Sequence, residues 1–196
     1  LAMPETRLRL ILASSSPRRR DLLRYGGFQF DVIPPDGVDE TELPGETPER
    51  VVVRLARDKA ASVARSVRRG LVLGCDSVVE CNGSILGKPR DLEHARQILC
   101  ALSGQEHRVL TGLCLWPVPE STPDVRVART RLYMDPLSPE QLDEYLAGGQ
   151  WEGKAGAFGY QDGLNWVRVL EGSETNVVGL PMELLAEMLA AVSRRQ

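Results

Sequence analysis

The chain has 196 residues, 42% hydrophobic and 26% charged, an ordinary balance for a globular α/β protein that buries about 70% of its unfolded surface. Its 24 basic and 27 acidic residues leave a formal charge of -3, which excludes broad electrostatic attraction to nucleic acid or to an anionic membrane, so a phosphate ligand has to be gripped locally. No apolar run approaches the roughly 20 residues of a membrane helix, and the start LAMPETRLRLILASSSPRR lacks a signal-peptide pattern. The four cysteines show neither a C-x-x-C pair nor a zinc-like grouping with His94 or His107, so reduced thiols and a cytoplasmic location are expected. One domain is expected, with residues 1–6 as a loose N-terminal extension.

From Arg7 to Ala13 the run RLRLILA reads as a strand. Ser16-Pro17 then supplies an N-cap and a first-turn proline for a helix to Tyr25, stopped at Gly26-Gly27. FQFDVIPP gives a short strand, Asp36-Gly37 a turn, and residues 39–46 an acidic, proline-containing loop. Thr47-Pro48 repeats the start signal for a helix of about five turns, through Val67. LVLGCDSVVE is a nearly continuous apolar run of buried-strand type, interrupted by Cys75-Asp76-Ser77. Asn82-Gly83 marks a hairpin that folds Ser84–Leu86 back on that strand. Asp91 caps a helix to Leu102, and strands over about 107–116 and 125–134 follow. Ser138-Pro139 with Gln141 forms a capping box for a helix that stops at Gly148-Gly149. Next come the glycine-rich GKAGAFGYQDG, an alternating strand in LNWVRVLE, and a helix from about Pro181 to Val192.

Two places break local rules. In SSSPRRR, arginines stand at the positive end of a helix dipole, a mismatch of about 0.3–1 kcal/mol each when exposed. An anion reverses that sign, and free helix amides, the hydroxyls of Ser14 to Ser16 and the guanidiniums of Arg18 and Arg19 make a cradle for a phosphate chain. The bland alternative is a solvated basic turn, preferred for Arg20. Asp76 is the second misfit, an ionisable group among Leu71, Val72, Leu73, Val78 and Val79, and a buried carboxylate must meet a cation, a metal or hydrogen-bond donors.

Lys59 offers such company, because Val52, Leu55, Ala56, Lys59 and Val63 share one helical stripe. It either snorkels to solvent or reaches a site shared with Asp76. Lys88 in ILGKP is another candidate cation. GSILGKP is not a phosphate loop of the Walker type, since only three residues separate its glycines and proline follows the lysine. H-E-x-x-H and G-x-S-x-G are absent. Glu40, in the acidic VDET loop, is either solvated or one of two carboxylates from separate elements that hold Mg²⁺ through water.

In order, LASSSPRRRDLL, VDET, RLARDKA, LGCDSVV, GKPRD, LSGQEH, KAGAFGYQDG and NVVGLP resemble the successive signatures of the Maf family of nucleotide pyrophosphatases, from about Leu10 to Leu189. The resemblance implies an inosine-triphosphatase-like α/β fold: a central twisted mixed sheet flanked by helices, with two lobes around a cleft. It implies hydrolysis of a nucleoside triphosphate with Mg²⁺ or Mn²⁺ to a monophosphate and pyrophosphate, a homodimer, and links to removal of non-canonical nucleotides and to cell division.

By the same resemblance Asp76 is the catalytic aspartate that activates water and Glu40 is another charged residue of the site, and these two carboxylates are the expected metal contacts. Lys59 and Lys88 are charged partners in the site, and Ser14, Arg18 and Arg19 form the phosphate-contacting loop. Arg18 and Gln161 match the dTTP/UTP branch of the family, whereas Ser77 stands where that branch has threonine, Cys75 replaces alanine, and FGYQD replaces YGIQG. A 7-methyl-GTP pyrophosphatase is the other branch. A non-enzymatic nucleotide or nucleic-acid binder is the competing class, although a polyanion binder gains nothing from Asp76 and Glu40, and neither a membrane nor a stable nucleic-acid partner is expected.

Overall fold

The helix starts follow from local capping chemistry. In the computed structural model, which describes residues 9–119 and 122–194, Ser16 Oγ accepts the Arg19 N–H at the head of α1 (Pro17–Tyr25) and Thr47 Oγ1 accepts that of Arg50 at the head of α2 (Pro48–Ala64). Asp91 caps α3 (Leu92–Leu102), and Ser138 and Gln141 exchange both bonds of the expected box at α4 (Pro139–Ala147). The segment 1–6 lies outside the described residues. α2 ends three residues before the expected Val67: the amides of Ser66 and Val67 reach back only to Val63 and Ala64, a tighter turn than the α-helix. A short helix, α5 (Glu174–Val178), was not foreseen, and α6 spans Met182–Ser193.

Among the described residues seven strands form one mixed sheet: β1 (Leu10–Ala13), β2 (Phe30–Val32), β3 (Gly70–Cys81), β4 (Ser84–Leu86), β5 (Glu106–Val118), β6 (Asp124–Met134) and β7 (Val167–Glu171). The order is β2-β1-β3-β5-β6-β7, with β4 paired to β3. β1 runs parallel to β2 and β3, whereas β4 is antiparallel to β3 and β7 to β6. Asn82 (φ 50°) and Gly83 (φ 81°) adopt the left-handed pair that a two-residue hairpin requires.

The chain divides into two compact units. The first holds the described residues through Asp76, Thr111–Ala128 and those from Gly179 onward. Its strands alternate strictly. Leu10, Leu12, Leu71, Leu73, Leu113 and Leu115 pack with Leu23, Leu185, Met188 and Leu189 of α1 and α6. The intervening Ile11, Ala13, Val72 and Cys114 pack against Ala56, Ala60 and Val63 of α2. The second unit holds Ser77–Leu110 and Arg129–Val178, and its core gathers Ile98, Leu99 and Leu102 of α3 with Leu142, Tyr145 and Leu146 of α4 around Val79, Leu132, Met134 and Phe158. No described helix is long and apolar enough to cross a membrane.

Small residues let α2 lie almost on the strands. A Cβ added at Gly74 would collide with the Ala56 carbonyl and come within 2.8 Å of the Ala60 Cβ, and one at Gly112 would collide with the Val52 carbonyl. Helix backbone cannot swing aside as a flexible side chain does. Gly74→Ala is therefore expected to lower the free energy of urea unfolding by about 2 kcal/mol or more, while Gly87→Ala, which meets open space, stays within about 0.5 kcal/mol. An unchanged unfolding midpoint for Gly74→Ala would contradict this close approach.

Candidate active site

The alternation that buries β3 also aims Asp76, one of its two acidic residues, the other being Glu80, which pairs with Arg108. Val72 faces α2, so Gly74 and Asp76 share that face, and Gly74 has no side chain to hold the helix away. On α2 the stripe Val52, Leu55, Ala56 and Val63 is buried, and Lys59 lies in it at 6% exposure. Its ammonium does not snorkel outward. Nζ donates to Asp76 Oδ1 at 2.6 Å and contacts Glu40 Oε1 at 2.7 Å. The Asp76 side chain is 10% exposed and that of Glu40 53%, so the cluster is a buried ion pair with a second carboxylate at its rim. Its formal charge is one negative, with the surplus on the exposed side, which favours a further cation there.

A second cluster lies next to it along the chain. Ser14, immediately after β1, is buried, and its Oγ accepts the Ser16 N–H at 3.2 Å and a bond from Arg19 Nη1 at 3.3 Å. Arg19 also donates from Nη1 to the Cys75 carbonyl and from Nε to the Gly179 carbonyl, both at 2.8 Å. Gly179 (φ 123°) takes a backbone conformation that favours glycine, and its carbonyl also accepts the Cys75 thiol at 3.3 Å. Arg19 thus braces the backbone one residue before Asp76. Arg18, half-buried, is the second residue of α1, whose first turn holds no acidic residue. Burial pushes the Cys75 thiol up to about 11, so it stays protonated near neutral pH.

The other expected residues belong to the second unit. Ser77 follows Asp76 on β3 and is part-buried, and Lys88 is exposed after β4. Gln161 is exposed in a 3₁₀ turn, and its amide has no hydrogen-bond partner among the described residues. The loops of Lys88 and Gln161 are tied by a bond from the Gly156 N–H to the Gly87 carbonyl at 3.1 Å. Lys154 and Asp162 form an ion pair, each side chain 13% exposed, and a Cβ at Gly159 would run into both. The Gly159 N–H donates to Tyr145 Oη at 3.2 Å, so the glycine-rich stretch is a braced loop.

Among the described residues no group of three or more His, Cys, Asp or Glu side chains could hold a metal ion. Asp76 and Glu40 supply two carboxylates in contact with one cation, the hard-oxygen donor set by which Mg²⁺ is held when water and phosphate complete its shell.

The family model described as Maf-like protein matches residues 9–192. The chain belongs to the Maf family. It is 50% identical over 182 residues to a Rhodopirellula baltica protein named dTTP/UTP pyrophosphatase, covering 92% of this chain and 80% of that one. A protein of the same name from Syntrophomonas wolfei is 41% identical over 180 residues, covering 91% and 95%. Among solved structures, the Ham1 protein of Staphylococcus aureus aligns with 64% of this chain and 71% of its own, at 18% identity and a TM-score of 0.45.

Within this Maf chain three features have no local signature in the sequence. The Gly179 carbonyl, in NVVGLP, receives Arg19, but no local pattern announces a carbonyl as an acceptor. Lys154 and Asp162 meet across an irregular, glycine-rich stretch of short 3₁₀ turns, where no regular periodicity says which side chains face each other. Arg54 and Glu46, which shape the Glu40 loop, look in sequence like ordinary surface charges.

Proposed function

We propose that this chain hydrolyses nucleoside triphosphates, dTTP and UTP foremost, between the α and β phosphates, giving a nucleoside monophosphate and pyrophosphate. The observation that carries the reading is the buried Lys59 ammonium held by Asp76 at 2.6 Å, with Glu40 at 2.7 Å. Carboxylates that face a phosphate chain make chemical sense only with cations between them, so a pure polyanion binder has no use for the arrangement.

Asp76 orients the attacking water and accepts its proton. A carboxylate alone is a weak base toward water and needs help. Asp76 and Glu40 are the residues that would hold a Mg²⁺ or Mn²⁺ ion, whose chemistry when bound would be to neutralise phosphate charge and make water more acidic. Lys59 aligns Asp76 through its hydrogen bond, while Arg18, Arg19 and Lys88 place positive charge on the triphosphate, in a reaction that asks mainly for positioning and charge stabilisation. Ser14 orders the loop before α1 through its bonds to Ser16 and Arg19. Gln161 reads the pyrimidine edge, because one amide both donates and accepts, and Ser77 contributes the hydroxyl next to Asp76. The cysteines are free thiols, which suits a reducing cytoplasm.

Asp76→Asn is expected to lower kcat for UTP in the presence of Mg²⁺ by about a hundredfold or more. Turnover near the wild-type rate would contradict the role given to Asp76. For the base, Gln161→Ala is expected to reduce kcat/KM for UTP and dTTP about tenfold relative to CTP and 7-methyl-GTP. The readout is the ranking of the four nucleotides, and an unchanged ranking counts against Gln161.

A further inference from the structure

Glu40 reaches Lys59 from a segment with no regular secondary structure, most of whose residues from Asp36 to Glu46 are exposed. A carboxylate on such a segment would ordinarily sample many positions, and ordering it costs about 1–2 kcal/mol of backbone entropy per residue. Here the segment is folded around one guanidinium. Arg54, on the second turn of α2, grips Glu46 with a two-pronged fork, Nε to Oε1 and Nη2 to Oε2, both at 2.7 Å. The remaining prongs collect backbone carbonyls, Nη1 to Asp39 at 3.4 Å and Nη2 to Thr41 at 3.1 Å. Those two residues flank Glu40 on either side.

The loop is closed on itself around that grip. The Leu43 N–H donates to Glu46 Oε2 at 3.2 Å, the Glu46 N–H to the Leu43 carbonyl at 3.0 Å, and the Thr41 N–H to Asp39 Oδ1 at 2.9 Å. The Glu46 side chain is only 9% exposed and that of Arg54 24%, unlike the open surface around them. The Arg54 guanidinium, joined by the Leu43 amide, holds the Glu46 carboxyl below the usual carboxylate range although desolvation opposes it.

We infer that Arg54 and Glu46 are positioning residues for Glu40: the fork fixes the backbone on both sides of Glu40 and so sets its carboxylate against Lys59 and, through Lys59, beside Asp76. The inference rests on the proposed reading of Glu40, Lys59 and Asp76 as one reactive cluster. Lysine in place of Arg54 keeps the charge but cannot span Glu46 and two carbonyls at once, and glutamine in place of Glu46 keeps one acceptor but loses the charge-assisted pair.

The test is a double-mutant cycle. Arg54→Lys and Glu46→Gln are each made in the wild-type and the Glu40→Gln backgrounds, with kcat/KM for UTP measured in Mg²⁺ and amide hydrogen exchange followed over residues 39–46. In the wild-type background each substitution is expected to lower kcat/KM about tenfold or more, and in Glu40→Gln by no more than about twofold, since the carboxylate it positions is already gone. Exchange over 39–46 should rise about tenfold or more while that of 55–63 stays as in wild type.

Equal losses in both backgrounds, or no loss in the wild-type background, would overturn the positioning role while leaving the proposed reaction standing. Unchanged exchange over 39–46 in both variants would overturn it as well. If Glu40→Gln alone turns over UTP at the wild-type rate, the reading of the cluster fails and the inference falls with it. Should Arg54→Lys not fold, Glu46→Gln carries the same cycle.

Discussion

Lys59 carries its charge on the face of α2 turned toward the sheet, and only 6% of the residue is exposed. An ammonium in that position is tolerable only if it is fully partnered, because an unpaired buried charge costs several kcal/mol. Asp76 meets the requirement from β3 and Glu40 from the loop before α2. Much else in the first unit follows from this demand. Gly74 and Gly112 carry no Cβ because α2 must come close enough for a four-carbon stem to reach Asp76, and Ala56 and Ala60 keep that contact thin.

The supports around the pair differ in kind. Asp76 sits on a strand buried on both faces, and the residue before it is held by the Arg19 guanidinium, which is itself anchored on the Gly179 carbonyl. Glu40 has no such scaffold and depends on a side-chain fork. One carboxylate is thus held by regular structure and the other by an ion pair.

Much of this is legible in the sequence, and the reason is locality. Capping by Ser16, Thr47, Asp91 and Ser138 is decided within four residues, as is the Asn82-Gly83 turn. Asp76 and Lys59 stood out because each is a charge where an apolar periodicity leaves no room for one. What escaped depends on contacts distant in sequence. α5 is five residues long, too short for periodicity, and forms where Asn176 is buried with its amide on the Val109 carbonyl and Thr130 Oγ1. β7 begins at Val167 rather than Leu164, and Trp166 just before it packs edge-on against Tyr145. The helix-dipole mismatch at Arg19 points to an anion, and the protein oxygens that its Nε and Nη1 also meet are ones no local pattern could place.

The central claim concerns which bond a carboxylate–lysine cluster of this kind helps to break. Following UTP turnover by ³¹P NMR in Mg²⁺ addresses it directly. Signals of UMP and pyrophosphate should grow together in equal amounts from the first time points, with no UDP. Accumulation of UDP and orthophosphate would place the cleavage at the terminal phosphate and contradict the account.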